Sequence, residues 1–221
     1  MRKVATAEHT DTDYAYWHAR GNPSHKYLLP AVMETLQSLG GPPMRVFDVG
    51  CGNGSTASQL AAAGYEVSGV DPSESGIERA NQACPNLQLS CGSAYDDLAA
   101  EHGRFPVVLS LEVVEHLYSP HLLAQTLFDL LEPGGTAILS TPYHGYLKNL
   151  ALAATGKLDK HFSSLREHGH IKFFSVRTLE KLLTNAGFVN IRFMRLGRIA
   201  PLAKSMVAIA EKPVSGFKRN E

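Results

Sequence analysis

The chain has 221 residues, 21 acidic and 21 basic side chains, and a pI near 7.2. That balance excludes binding to nucleic acid through bulk positive charge, though not through a local patch. Hydrophobic residues at 44% and charged residues at 19% fit a globular domain with its own core, or a domain with an insertion.

The first 22 residues are polar, with no apolar core of signal-peptide length. Residues 24–39 read as a helix interrupted near Pro30, and GGPP at 40–43 breaks the chain. MRVFDV (44–49) is a buried strand. STASQLAAAG (55–64) is a helix stopped by Gly64. EVSGV (66–70) is a second strand, followed by a helix over 73–84 that Ser73 caps. Strands follow at 87–90 and 106–111. A helix at 119–131 has Pro120 in its first turn, then PGG at 133–135 punctuates and 136–141 is a fifth strand. Residues 142–170 break the rhythm. The chain ends with a helix (175–187) and two strands (188–196 and 205–211). No run approaches the ~20 apolar residues of a membrane span. Cys51, Cys84 and Cys91 lack zinc spacing, and their odd number points to reduced thiols in a cytoplasmic compartment.

Alternating strands and helices predict an α/β fold: a doubly wound, mostly parallel, seven-stranded sheet. The last two strands have no helix between them and are expected to form an antiparallel edge hairpin. A helical cap (1–43) precedes a main domain (44–221) that carries an insertion at 143–170. Ligands of such sheets bind at the carboxyl ends of the strands, at the topological switch point.

VFDVGCGNG (46–54) ends the first strand there, with Gly50, Gly52 and Gly54 at alternating positions. A phosphate loop needs GxxxxGK[ST], and no Lys or Arg lies between Val46 and Tyr65. A dinucleotide fingerprint wants a third glycine where Ser55 stands. One glycine would suit a plain structural turn, but three do not. Asp71 ends the second strand, 21 residues after Gly50. It is placed either to accept hydrogen bonds from both hydroxyls of a ribose or to cap the next helix. With the glycine loop upstream the ribose reading prevails. S-adenosylmethionine has a ribose, no phosphate and a positive sulfonium, and fits a loop without cations.

Taken in order, VFDVGCGNG, GVDPS, SLEVVEHL and LLEPGGTAILSTP resemble the motifs of class I S-adenosylmethionine-dependent methyltransferases over roughly residues 44–210. The resemblance implies that Asp48, Gly50, Cys51, Gly52 and Gly54 surround the methionine part of the cofactor. By the same resemblance Asp71, with Pro72 beside it, holds the ribose, Ser93 and Ala94 lie by the adenine, and Leu111 lies under the methyl. Pro106 stands where the family often has an acid. Arg20 or Lys26 is available for the cofactor's carboxylate.

An oxygen acceptor must lose its proton, to a base or with help from a metal. In SLEVVEHL, a helical turn would put Glu112, Glu115 and His116 on one face. With His168 or His170 from REHGHIKFFS they form a set suited to Mg²⁺, Mn²⁺ or Zn²⁺. The same residues also suit a metal-free base or loop orientation. Ubiquinone-pathway O-methyltransferases look similar here and carry an insertion after the fifth strand. RNA 3′-end 2′-O-methyltransferases share E-x-x-E-H and the H-x-K-F of His170–Phe173, but neutral charge disfavours RNA.

The insertion reads as a lid, either packed on its own domain or touching a membrane through YLKNLALAA. Tyr14, Tyr16 and Trp17 either close the site from the other side or pack as core. The expected activity is O-methylation of a small hydroxylated acceptor, with Glu115 and His116 nearest to it. The rivals are N- or C-methylation, RNA methylation, a non-catalytic cofactor-binding protein and, most distantly, a nicotinamide oxidoreductase.

Overall fold

The computed structural model describes residues 24–162, 164–166 and 169–214. Arg20, Tyr14, Tyr16, Trp17 and His168 lie outside them.

Seven strands form one sheet: β1 (Arg45–Val49), β2 (Glu66–Asp71), β3 (Gln88–Cys91), β4 (Phe105–Leu111), β5 (Leu131–Pro142), β6 (Val189–Leu196) and β7 (Ser205–Glu211). Their spatial order is β3-β2-β1-β4-β5-β7-β6. The first five pair in parallel, and β7 runs antiparallel to both β5 and β6. The expected hairpin therefore exists, but its return strand slots inside, between β5 and β6. Connections leave β1 in one direction toward β3 and β4 in the other toward β5. The β1–β4 crevice is therefore the switch point.

Strand side chains alternate between two cores. Val46, Val107 and Leu109 pack with α1 (His25–Ser38), α2 (Ser55–Ala62) and α3 (Glu74–Ala83). Phe47, Val49 and Val108 pack on the other side with α4 (Leu98–His102), α5 (Pro120–Leu130) and α8 (Val176–Ala186). Both layers bury Leu-rich stripes, and each fully buried Leu contributes about 1.5–3 kcal/mol. Ser73 caps α3, its Oγ accepting from the Gly76 amide at 3.2 Å, and Gly64 follows α2 with φ 95°.

Three local expectations change. Helix α1 runs unbroken through Pro30. Pro30 and Lys26, whose carbonyl loses its donor, are both exposed, so that carbonyl is open to solvent. PGG lies within β5, where the register against β4 jumps between Phe105/Leu131 and Val107/Thr136. Helix α4 was missed. It is five residues long, with Asp97 accepting from the Ala100 amide at its start.

The insertion leaves after β5 and forms α6 (Tyr146–Ala154) and α7 (Leu158–Phe162). A bridge between Tyr143 and Phe174 closes its neck, and the His144 amide donates to the Phe174 carbonyl at 2.9 Å.

Candidate functional site

Two loops meet at the switch point. In the first, Gly50, Gly52 and Gly54 have φ of 84°, 56° and 73°, a left-handed backbone that side chains resist. Packing adds a second demand. A Cβ at Gly50 would collide with Val113, and one at Gly54 would stand 2.8 Å from Ala80 Cβ. The first glycine thus admits the segment after β4, and the third admits α3. What comes close to these two is in part the protein itself.

Asp71 fastens the middle of the loop. Its Oδ2 accepts from the Gly52 amide at 2.8 Å and its Oδ1 from the Ser73 amide at 2.9 Å. The cap of α3 is Ser73, so Asp71 is left to the loop, with lone pairs remaining on both oxygens. Pro72 is exposed beside it. Asp48 and Cys51 flank the same space, since a Cβ at Gly69 would stand 3.2 Å from the Cβ of each. Burial, and then the Asp71 charge, push the Asp48 carboxyl up to about 7. Burial also raises Asp71, against the pull of its two amide donors, and raises the Cys51 thiol.

After β3, the Ser93 amide donates to Asp96 Oδ2 at 2.6 Å, and Ala94 is buried. Sequence reading passed over Asp96, although Ser-x-x-Asp is a turn signal. Leu111 closes β4, half-buried. Lys26 is exposed on α1. It is His25 that meets the glycine loop's helix, with Nδ1 3.5 Å from Ser55 Oγ.

The second loop follows β4. It makes one short 3₁₀ turn, Val114–His116, and Glu112 stands before it with φ 59°. Glu112 therefore does not share a helical face with Glu115 and His116. Its carboxylate turns toward β5 and β7, accepting from Ser140 Oγ at 3.0 Å and Ser205 Oγ at 3.4 Å. Glu115 is 1% exposed, and neither of its oxygens has a hydrogen bond in good geometry. The Thr141 hydroxyl nearby steadies its charge only in part. Burial, and then the Glu112 charge, hold the Glu115 carboxyl well above the usual carboxylate range.

His116 and His170 come to Glu115. One ligand atom from each of the three residues lies within 4.8 Å of the others. His170 arrives from the far end of the insertion because the Ile171 and Lys172 amides both donate to the Glu115 carbonyl, at 2.9 and 3.0 Å. His170 is exposed at its outer edge, while partial burial of the ring and the neighbouring His116 lower its imidazole to about 4, which favours the neutral form that accepts or ligates. Among the described residues, none of Asp48, Asp71, Glu112 and Glu115 is in a salt bridge.

Helix α6 is inverted. Lys148 is its one buried residue, and its ammonium donates to the Tyr143 carbonyl at 2.7 Å and the Lys204 carbonyl at 3.3 Å. Tyr146, Leu147 and Leu150 face outward, 79%, 56% and 51% exposed. Burial and the Arg198 charge lower Lys148 to about 8. His144, at the base of α6, sits among His161, Phe162 and Phe173 with centroids 5.0–5.8 Å away. Burial and Lys148 lower it to about 4.

Comparison with known proteins identifies the family and the fold. A family model described as a methyltransferase domain matches residues 16–192. A ubiquinone biosynthesis O-methyltransferase of Caulobacter sp. strain K31 is 39% identical over 117 residues, 51% of this chain and 46% of that protein. The protein of the same name from Psychrobacter arcticus is 30% identical over 150 residues, 65% of this chain and 58% of its own length. The chain thus spans about half the length of the curated relatives it matches. Among solved structures, magnesium protoporphyrin IX methyltransferase from Synechocystis PCC 6803, with bound SAH, superposes with a TM-score of 0.65. That match has 21% identity and covers 89% of this chain and 90% of that one. The chain belongs to the methyltransferase-domain family, on the fold shared by S-adenosylmethionine-dependent methyltransferases.

Proposed function

We propose that the protein transfers a methyl group from S-adenosylmethionine to a hydroxyl of a small molecule. One observation carries this reading. Three buried carboxyl groups, Asp48, Asp71 and Glu115, lie at the carboxyl edge of the sheet with no salt-bridge partner among the described residues. Buried carboxyls without counter-charge are costly, and a cationic ligand at the crevice offsets that cost. A sulfonium is such a ligand. The cofactor, when bound, supplies the methyl group. Asp71 would hold its ribose, and the loop from Asp48 to Gly54, with Cys51, its methionine part. Ser93 and Ala94 would border the adenine, Pro72 the ribose edge, and Leu111 the methyl.

Glu115 is the proposed base. It is buried, lacks a hydrogen bond in good geometry and is raised in pKa, so it can take a hydroxyl proton and hold it away from water. His116 is the second proposed catalytic group. Glu115, His116 and His170 also fit a divalent metal ion, which when bound would acidify the acceptor hydroxyl. Two imidazoles and one carboxylate suit Zn²⁺ better than Mg²⁺, which prefers oxygen ligands. The printed name of the ubiquinone-pathway relatives supports an oxygen acceptor. The free thiols Cys51, Cys84 and Cys91 support a reducing, cytoplasmic setting.

The test is turnover with labelled S-adenosylmethionine against catechol, a primary amine and an RNA 3′ end, with products identified by mass. O-methylated catechol is the expected product. Methyl groups on the amine or the RNA alone, or S-adenosylhomocysteine binding without turnover of any acceptor, would overturn the assignment.

No helix among the described residues is long and apolar enough to cross a membrane. The inverted α6 supports peripheral contact instead. Tyr146, Leu147 and Leu150 face outward, and exposed Lys157 follows the helix, a pattern suited to an anionic bilayer surface. Leu147→Glu with Leu150→Glu is expected to weaken flotation with phosphatidylglycerol vesicles by at least about tenfold. Unchanged flotation would assign α6 to packing alone.

A further inference from the structure

We infer that Glu112 is a positioning residue: it ties helix α1 to the sheet edge and thereby sets how α1 lies against the helix that follows the glycine loop. The inference rests on the methyltransferase reading only for its cofactor arm.

The chain of contacts is continuous. Ser140 Oγ of β5 donates to Glu112 Oε1 at 3.0 Å, and Ser205 Oγ of β7 donates to Oε2 at 3.4 Å. Ser205 Oγ is in turn 3.0 Å from the Tyr27 hydroxyl of α1. Ser140 and Ser205 are 0% and 1% exposed, so water does not substitute for these bonds. The backbone of Glu112 is held too, its amide donating to the Ser140 carbonyl and hydroxyl at 3.1 and 3.0 Å. Two residues before Tyr27, His25 faces Ser55, the first residue of α2. One residue after Glu112, Val113 covers Gly50. Glu112 thus sits where α1, the glycine loop and the loop after β4 meet, yet hydrogen-bonds away from the Glu115–His116–His170 set. The two acids of E-x-x-E-H divide their work: Glu115 faces the acceptor side and Glu112 faces the scaffold.

Glutamine can replace Glu112 in this role. Its amide oxygen still accepts from Ser140, and its amide N–H donates to Ser205, whose hydroxyl rotates to donate to Tyr27. Alanine removes the shared acceptor: Ser140 Oγ keeps only the backbone amide of residue 112 and Ser205 Oγ keeps only Tyr27, so nothing joins the two serines.

The experiment measures amide hydrogen exchange of the 24–38 segment and S-adenosylhomocysteine affinity in the full-length protein, for wild type, Glu112→Gln, Glu112→Ala, Tyr27→Phe and the Glu112→Ala/Tyr27→Phe double variant. In Glu112→Ala, exchange of α1 is expected to quicken at least about fivefold and affinity to fall about tenfold. Glu112→Gln should restore both to within about threefold of wild type, and Tyr27→Phe should cost less in the Glu112→Ala background than in wild type. If Glu112→Ala does not fold, Ser205→Ala and Tyr27→Phe carry the same expectation from the other end of the chain. Unchanged α1 exchange in Glu112→Ala, full additivity with Tyr27→Phe, or a Glu112→Gln variant as impaired as Glu112→Ala would overturn the inference. Wild type that binds no S-adenosylhomocysteine would sink the methyltransferase reading, while α1 exchange would still decide Glu112.

Discussion

Replacing Asp71 by alanine is expected to weaken S-adenosylhomocysteine binding by well over about tenfold in a calorimetric titration, since hydrogen bonds to a charged group contribute about 1.5–3 kcal/mol each. Two losses combine. The Gly52 and Ser73 amides lose their shared acceptor, so the centre of the glycine loop is no longer fastened to β2. The proposed ribose also loses its carboxylate. Asp71→Asn separates these losses. Asparagine can accept from one amide but presents its own N–H₂ to the other, so binding should fall between wild type and Asp71→Ala. Affinity retained in Asp71→Ala would show that the ribose lies elsewhere.

The second large effect concerns Glu115. Glu115→Gln should lower turnover about a hundred- to ten-thousand-fold, the usual contribution of a general base. S-adenosylhomocysteine affinity should stay within about twofold, because Glu115 lies on the acceptor loop and not on the glycine loop. The pH profile gives a second reading. The base acts only when ionised, and burial with the Glu112 charge raises its pKa. Turnover should therefore rise with pH along a limb that lies above the ordinary glutamate value of 4.5, and that limb should vanish in Glu115→Gln. A Zn²⁺ heat lost in Glu115→Gln and in His170→Ala, but kept in Glu112→Gln, would add the metal to the base. Full activity in Glu115→Gln with the limb intact would move the base to an imidazole.

Much of this arrangement is legible in the chain. The strand ends are marked by Asp48 and Asp71, the loop by alternating glycines, and the start of α3 by Ser73. These are local signals, set by backbone angles and nearest neighbours. What the chain hides is non-local. Nothing near Gly50 in sequence announces Val113, and nothing near Tyr27 announces Ser205. Helical spacing placed Glu112 beside Glu115. A single residue at φ 59° is enough to turn it away, and no periodicity reports such a residue. Lys148 looks like a surface charge between leucines. It is buried because two carbonyls, of Tyr143 and Lys204, wait for its ammonium while the leucines face out. The pairing of His116 and His170 depends on two amides reaching one carbonyl across the mouth of the insertion.

That mouth has a consequence for how such a protein changes over evolutionary time. The excursion departs at Tyr143 and returns at Phe174, its partner in a single bridge. Because its ends are already joined, its contents can lengthen, shorten or be exchanged at small entropic cost and without shifting the register of any strand. Among the described residues, His170 and the amides of Ile171 and Lys172 reach from it to Glu115. A lineage could therefore adopt a new acceptor by rewriting about thirty residues, while the glycine loop and Asp71, proposed to hold the methyl donor, stay as they were.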